Sequence, residues 1–183
     1  LTPIQLAADR LRRKYRPEDE AAGAQFSGYL SIIGRQVDDI GRMVDEFSDF
    51  ARMPQPAMKE LSLAELAHGQ VALFEAQKVE FSTDLDMDPD GGMVMGDAGL
   101  LRQALTNIIQ NAIDSLSGAR VAEPQIRLAL SVNDGQVCLE VSDNGPGFPK
   151  KGRSSLLEPY VTGRDKGTGL GLAIVGKIIQ DHS

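Results

Sequence analysis

The chain has 183 residues, of which 42% are hydrophobic and 25% charged, and its formal net charge is −7. This composition is ordinary for a soluble globular protein, and the negative charge argues against a general nucleic-acid-binding surface. Cys138 is the single cysteine, so an internal disulfide is excluded. No apolar run approaches the ~20 residues of a membrane span.

Residues 1–53 have the hydrophobic period of a coiled coil. In the second half of this stretch, apolar residues alternate steps of four and three over about four heptads: Phe26, Leu30, Ile33, Val37, Ile40, Val44, Phe47 and Ala51. A shorter stretch from Leu1 to Tyr15 has the same period, and residues 16–23 carry the Pro and Gly that separate the two. The pattern predicts an antiparallel helical hairpin. Two copies of the hairpin could bury their apolar seams against each other in a dimeric four-helix bundle. The alternative is a hairpin packed on its own second domain.

Two prolines, Pro54 and Pro56, end the second predicted helix, because proline removes a backbone donor and biases the residue before it away from helix. They predict a linker at residues 54–60 between the hairpin and a second domain at residues 61–183. This domain opens with the capping box Ser62-Leu63-Ala64-Glu65, which predicts a helix to about Gln77.

Alternating apolar residues predict four strands in the second domain, at residues 79–85, 93–95, 126–132 and 137–141. The sequence Asn133-Asp134-Gly135-Gln136 joins the last two strands as a hairpin. A helix capped by Asp97 is expected through Ser115, and a last helix begins near Leu170. Helices over one face of a mixed sheet would form an α/β sandwich, so the complete chain is of the α+β class.

Two polar motifs in this domain suit the chemistry of a nucleotide. Asn107 and Asn111 lie one turn apart on the predicted helix, so their amides share a face. An amide oxygen is a hard ligand that suits Mg²⁺, which bridges phosphate oxygens. The carboxylate of Asp143 can accept a hydrogen bond from an exocyclic amine such as that of adenine. Gly145 and Gly147 let the backbone approach a flat base where a Cβ would collide.

The third motif, Gly167-Thr168-Gly169-Leu170-Gly171-Leu172, opens the last helix. Its glycines let the backbone approach phosphates, and the helix start offers free N–H groups and a positive dipole end. The chain has no Gly-Lys-Ser/Thr sequence, so this is not a Walker P-loop. Residues 148–166 ahead of the motif are long for a structureless loop, which favours a lid. The lid is basic, with Lys150, Lys151, Arg153, Arg164 and Lys166. We expect Arg164 to contact phosphate. The alternative is a solvated loop with scattered charges.

The order of the three motifs resembles the N, G1 and G2 boxes of the ATP-binding domain of sensor histidine kinases. Residues 1–8 resemble the end of the H box of that family, in the form found in nitrogen-regulation sensors of the NtrY type, and Glu158-Pro159-Tyr160-Val161-Thr162 resembles its F box. The resemblance implies the cytoplasmic kinase core of a two-component sensor that binds Mg-ATP. In the parent protein, such a core phosphorylates a His, and the phosphoryl group then passes to an Asp of a response-regulator receiver domain.

The resemblance also implies a role for each site residue. Asn111 is expected to hold Mg²⁺ with Asn107 in support, and both are expected to contact ATP as the catalytic residues. Asp143 is expected to bind adenine beside Gly145 and Gly147. The phosphates are expected on Arg164 and on the backbone of the last motif: Gly167, Thr168, Gly169, Leu170 and Gly171.

Both ends of the chain look trimmed in comparison with this family. The acceptor His is expected to precede Leu1, so we expect that the chain does not phosphorylate itself. His68 and His182 lie outside any H-box context, and we expect surface or packing roles for them. Asp114 stands where other branches of the family place a Lys near phosphate. No membrane contact is expected of this part of the protein, although an inner-membrane anchor could lie upstream.

Two other functions are compatible with the same motifs. A pseudokinase would bind nucleotide only to set its conformation, and its helical bundle would dock partners. A related ATPase of the superfamily that includes gyrases, some chaperones and mismatch-repair enzymes would hydrolyse ATP. The heptad hairpin ahead of the ATP-binding domain argues against the second alternative.

Overall fold

The computed structural model describes residues 2–15, 17, 19–85, 92–148, 157–158 and 169–183. The chain divides into two compact units, Leu1–Met53 and Pro54–Ser183. Among the described residues, no helix combines the length and the apolar character that a membrane crossing requires.

The first unit contains two helices, α1 (Thr2–Lys14) and α2 (Glu20–Ala51). Helix α2 begins after Asp19, whose side chain accepts a hydrogen bond of 2.7 Å from the backbone N–H of Ala22, as an N-cap residue does. The two helices contact each other, and the side-chain amide of Gln5 donates to the carboxylate of Asp38 at 2.6 Å.

The predicted heptad residues of α2 divide into two groups in this unit. Leu30 and Val37 are buried, at 3% and 6% exposure. Other heptad side chains keep about half of their surface exposed: Ile33 43%, Ile40 48%, Val44 52% and Phe47 48%. The contact between α1 and α2 therefore covers only part of the apolar seam.

The second unit contains five strands and three helices within the described residues. They follow the order β1 (Lys59–Ser62), α3 (Leu63–Phe74), β2 (Glu80–Asp84), β3 (Met93–Gly96), α4 (Ala98–Gly118), β4 (Gln125–Asn133), β5 (Gln136–Asp143) and α5 (Gly171–Asp181). Strand β1 is not predicted from the sequence, which assigns residues 59 and 60 to the linker. Four residues are too few to show an alternation, and β1 exists because it pairs with β3.

The strands form two sheets rather than the one mixed sheet that the sequence predicts. Strands β1 and β3 pair antiparallel, while β2, β4 and β5 form a sheet in that order. Strand β2 runs parallel to β4, and β5 runs antiparallel to it, so this larger sheet is mixed. The predicted hairpin is confirmed: Asn133 pairs with Gln136, and Asp134 and Gly135 have φ of 51° and 78°, as a type I′ turn requires.

The core of the second unit lies between α4 and the larger sheet, with α3 packed beside them. Its buried side chains follow the helical period on α4 and alternate along β4: Leu105, Ile109, Ala112, Ile113, Leu116, Ile126, Leu128 and Leu130. Thr106 donates to the buried amide oxygen of Gln70 at 2.7 Å, which joins α4 to α3. This packing leaves another face of α4 for the predicted site.

Candidate functional site

Helix α4 is positioned by a strong N-cap. Oδ1 of Asp97 accepts hydrogen bonds from the N–H groups of Gly99 and Leu100 at 2.9 and 3.1 Å, and Oδ2 accepts one from Ala57 at 2.9 Å. These backbone donors, that of Ala57 first, hold the pKa of the carboxyl group below its usual value of 3.8. The charged form is favoured in the folded state, so this stabilisation is present above that pH and is lost as the pH falls through the lowered pKa.

The two predicted amides both lie against the first residue of α5. The side-chain amide of Asn107 donates to the carbonyl oxygen of Gly171 at 3.4 Å. A Cβ added at Gly171 would lie 3.6 Å from the amide nitrogen of Asn111. Both asparagines are half-buried. The structure thus brings together the asparagine pair and the end of the glycine-rich motif, as their assignment to one site requires.

The start of α5 differs from the starts of three other helices. Side chains of Asp19, Ser62 and Asp97 cap α2, α3 and α4. Helix α5 has Leu170 at its N-cap position, where no side chain makes a cap hydrogen bond. Gly169 just before it has a φ of 71°, in the left-handed region that favours glycine. Within the part of the chain that the structure describes, the N-cap residue Leu170 therefore supplies no side-chain oxygen to the positive end of this helix dipole.

The Asp143 motif forms a tight turn at the end of β5. Oδ1 of Asp143 accepts a hydrogen bond from the N–H of Gly145 at 2.8 Å, which is an Asx turn. A Cβ at Gly145 would lie only 2.6 Å from that Oδ1 atom. Gly147 has a φ of 71°. The backbone of the turn itself therefore favours glycine at both positions. The sequence predicts these glycines only from the approach of the backbone to a base.

Asn144 is a structural residue of this turn that the sequence analysis misses. Its Oδ1 accepts from the N–H of Gln125 at 2.9 Å, and its Nδ2 donates to the carbonyl of Glu123 at 2.8 Å. These bonds hold the turn to the start of β4. Asn is common in turns, but its partners lie about 20 residues earlier in the chain, so a local pattern does not reveal them.

One face of α4 connects the motifs. Asn107, Asn111 and Ser115 are spaced by four residues, so they follow one another along that face. Gly171 lies against the first two, and a Cβ at Gly145 would lie 3.4 Å from Oγ of Ser115. The Asp143 turn and the start of α5 therefore meet α4 at neighbouring turns. The predicted contacts of Arg164, Gly167 and Thr168, and nearly all of the lid, fall outside the described residues.

Comparisons with known proteins agree with this arrangement. Residues 96–183 match the protein family described as "Histidine kinase-, DNA gyrase B-, and HSP90-like ATPase". The chain is 42% identical over 185 residues to the nitrogen regulation protein NtrY of Azorhizobium caulinodans, a match that covers 100% of this chain and 24% of that protein. The chain thus spans about a quarter of that relative.

Two solved structures are similar in fold. The nucleotide-free catalytic domain of the histidine kinase ThkA superposes with a TM-score of 0.58 at 30% identity, covering 68% of this chain and 82% of that one. ThkA in complex with the response regulator protein TrrA superposes with a TM-score of 0.66 at 23% identity, covering 99% of this chain and 50% of that one. The second similarity concerns the fold alone.

The fold and the motifs of the second unit define an ATPase domain of the histidine kinase, gyrase and HSP90 class. Within that class, the chain belongs to the sensor histidine kinase family, and its sequence is similar to that of the nitrogen regulation protein NtrY. Sensor histidine kinases are protein-histidine kinases of two-component signalling, so the resemblance stated from the motifs is confirmed.

The close approach at Gly145 leads to a stability prediction. Gly145→Ala is expected to lower the free energy of unfolding by about 1–3 kcal/mol, because the new Cβ must displace the Asp143 carboxylate from its turn. Urea denaturation measures this change. Gly118→Ala is the control, since a Cβ there meets nothing within 4 Å, and it is expected to be neutral or stabilising. Equal stability of the two variants would contradict the steric argument.

Proposed function

We propose that the second unit binds Mg-ATP in the site along α4, and that the parent protein uses it to phosphorylate a His upstream of Leu1. The observation that carries the proposal is the meeting of the motifs on one helix face. Asn107 and Asn111 lie against Gly171, and the Asp143 turn packs beside Ser115. Residues that are far apart in the sequence thereby surround one stretch of surface.

The adenine would be recognised by Asp143. This side chain is exposed at the end of β5, and its Oδ1 is held by the N–H of Gly145. A carboxylate oxygen can accept several hydrogen bonds, so the fixed group is suited to an exocyclic amine. Gly145 and Gly147 have no side chains that would block the approach of a base to Asp143.

The phosphates would lie at the start of α5. The N-cap residue Leu170 makes no side-chain cap hydrogen bond, and the first N–H groups of the helix would form an anion site together with the helix dipole. Gly169 and Gly171 allow close approach of the backbone. Arg164, Gly167 and Thr168 remain predicted contacts.

The amide oxygen of Asn111, supported by Asn107, would be the protein ligand of Mg²⁺. The described residues hold no group of three His, Cys, Asp or Glu side chains that could bind a metal ion. One or two amide oxygens fit a Mg²⁺ that takes its other ligands from phosphate and water. A Mg²⁺ held there would supply positive charge that offsets the negative charge of the phosphates.

Two substitutions test this site. Asn111→Ala is expected to abolish Mg²⁺-dependent binding of a non-hydrolysable ATP analogue, because it removes the metal ligand. Asp143→Asn is expected to weaken binding about tenfold or more, since an amide can present a donor where an acceptor is needed. Isothermal titration calorimetry with and without Mg²⁺ measures both effects.

Gln110→Ala is the matched control, because Gln110 is exposed on the same helix and donates to Asp114 rather than into the site. It is expected to bind the analogue as the wild-type chain does. Unchanged affinity in both site variants would remove the assignment.

We further propose that α1 and α2 form an antiparallel hairpin that pairs with a second copy into a four-helix bundle. The support is the half-exposed row Ile33, Ile40, Val44 and Phe47, which continues the heptad period that buries Leu30 and Val37 against α1. Burial of such side chains is worth about 1 kcal/mol or more each, and a second hairpin offers the same row in return.

Charge placed on this row should separate the dimer. Ile33→Asp and Ile40→Asp are expected to give monomers in light scattering at tens of micromolar, while binding of the ATP analogue survives. Ile32→Asp is the control, because Ile32 is 49% exposed and lies off the heptad seam. A wild-type chain that is monomeric, or an equal effect of all three variants, would contradict the bundle.

In the parent protein, the γ-phosphoryl group would pass to the His of the hairpin and then to an Asp of a response-regulator receiver domain. Catalysis of this kind is mostly positioning and charge stabilisation. Neither His of the present chain is placed as an acceptor. His68 lies on α3 with Nδ1 at 2.9 Å from the carbonyl of Ala64. His182 has both ring nitrogens in hydrogen bonds.

We therefore expect no acid-labile phosphohistidine on the present chain when it is incubated with radiolabelled Mg-ATP. A longer chain that includes the residues upstream of Leu1 should become labelled on a His of that segment, because the resemblance to sensor histidine kinases implies the acceptor there and transfer requires an imidazole in line with the phosphorus. Label on His68 or His182 would overturn this assignment. An unlabelled longer chain that still binds ATP would instead favour the pseudokinase.

A further inference from the structure

The C-terminal end of α5 is joined to the N-terminal end of α4 by His182. Its Nε2 accepts a hydrogen bond of 2.9 Å from the backbone N–H of Asp97. Its Nδ1 lies 2.7 Å from the carbonyl oxygen of Ile178. Because Nε2 is the acceptor, Nδ1 carries the proton and donates to that carbonyl. The neutral ring thus connects two helices through one specific tautomer.

The backbone that receives the ring is shaped for close contact. A Cβ added at Gly96 would lie 3.2 Å from Cδ2 of His182 and 2.7 Å from a methyl carbon of Leu101. The next residue, Asp97, caps α4 with its side chain and also holds Ala57. The junction between β3 and α4 therefore joins the entry into the second unit, the helix of the asparagine pair and the end of α5.

Helices α4 and α5 are consequently fastened at two places. At one place His182 meets Asp97, and at the other Asn107 meets Gly171. The two places are separated by about 15 Å along α4 and about 16 Å along α5 at 1.5 Å per residue. The order of the paired residues rises along α4 and falls along α5, so the two helices run antiparallel. Both helices carry buried side chains between the two contacts: Leu100, Ala104, Ala173, Ile174, Val175 and Ile178.

We propose that His182 is a positioning residue of the nucleotide site, an inference that rests on the proposed function. By holding the far end of α5, it sets where the start of α5 lies relative to Asn107 and Asn111. Removal of the ring leaves the N–H of Asp97 without its acceptor and releases one of the two fastenings. The start of α5 then shifts against the asparagines, which weakens contacts to the phosphates more than contacts to the adenine at Asp143.

His68 offers a matched comparison within the same unit. It makes the same contact to the carbonyl four residues earlier, from Nδ1 to Ala64 at 2.9 Å. His68 is exposed, and this hydrogen bond stays within α3. Substitution of His68 therefore removes an imidazole and its intrahelical hydrogen bond but keeps the hydrogen bond between His182 and Asp97.

Two conservative variants separate the two bonds of His182. The amide of Gln reaches the position of Nε2, so His182→Gln keeps an acceptor for Asp97. The amide of Asn reaches only the position of Nδ1, so His182→Asn keeps the intrahelical bond and loses the fastening. We expect His182→Ala and His182→Asn to lower the affinity for a non-hydrolysable ATP analogue with Mg²⁺ about tenfold. His182→Gln and His68→Ala should stay near the wild-type value.

The test is calorimetric titration of the 183-residue chain and its variants with the ATP analogue and with adenosine, at a temperature where circular dichroism shows every variant folded. The adenosine affinity is expected to stay unchanged, because the adenine contacts do not depend on α5. A scalar coupling between the ¹⁵N nuclei of Asp97 N and His182 Nε2 in the wild-type spectrum would show the bond directly.

Each outcome has a distinct meaning. Loss of ATP-analogue affinity in the Ala and Asn variants alone, with rescue by Gln, supports the positioning role. Three results would overturn the positioning role while the proposed function stands. His182→Ala could bind the ATP analogue as tightly as His68→Ala does, or it could lose equal affinity for the analogue and for adenosine. The third is a His182→Gln variant that binds the analogue no better than His182→Asn. A wild-type chain that binds neither ligand would remove the proposed function, and the positioning role with it.

Discussion

The second unit depends on the two faces of α4. One face carries Leu105, Ile109 and Leu116, which are almost fully buried in the core, and the other presents Asn107, Asn111 and Ser115. Close packing on the first face fixes the rotation of the helix about its axis. The polar side chains on the second face therefore point in a fixed direction. The turn at Gly145 and the start of α5 at Gly171 meet them there.

Glycine at the contacts with α4 makes this arrangement possible. A Cβ at Gly145 would overlap with the carboxylate of Asp143, so any other residue would disturb the Asx turn that orients this side chain. At Gly171 there is space for a Cβ at ordinary contact distance from Asn111. The two positions differ: internal geometry accounts for Gly145, while the space at Gly171 is available to a ligand or to a side chain.

The helix starts differ in whether a side chain caps their first N–H groups. The starts of α2, α3 and α4 are capped by hydrogen bonds to the side chains of Asp19, Ser62 and Asp97, as expected for helix ends that only need to be stable. Among the described residues, Leu170 stands at the N-cap position of α5 without a side-chain cap hydrogen bond. Backbone N–H groups at a helix start can bind an anion, and this property does not depend on the net charge of −7 of the whole chain.

The sequence by itself determined the features that depend on local periodicity and residue type. The helical period of residues 26–51, the capping residues Ser62 and Asp97, the hairpin at Asp134-Gly135 and the order of the three motifs are all present in the chain as written. They were sufficient for the family, because the intervals between the asparagines, Asp143 and the glycines are distinctive. Element ends were less accurate: α3 ends at Phe74 and α4 extends to Gly118.

Only the tertiary structure decided which residues far apart in the chain meet. Strand β1, the division into two sheets, the role of Asn144 and the link from His182 to Asp97 all rest on partners about 20 to 85 residues away. Local propensity contains no information on such pairs, because each depends on the packing that brings two elements together. The sequence therefore names candidate nucleotide-binding groups, while packing brings Asn107 and Asn111 against the start of α5 and holds the end of α5 to Asp97.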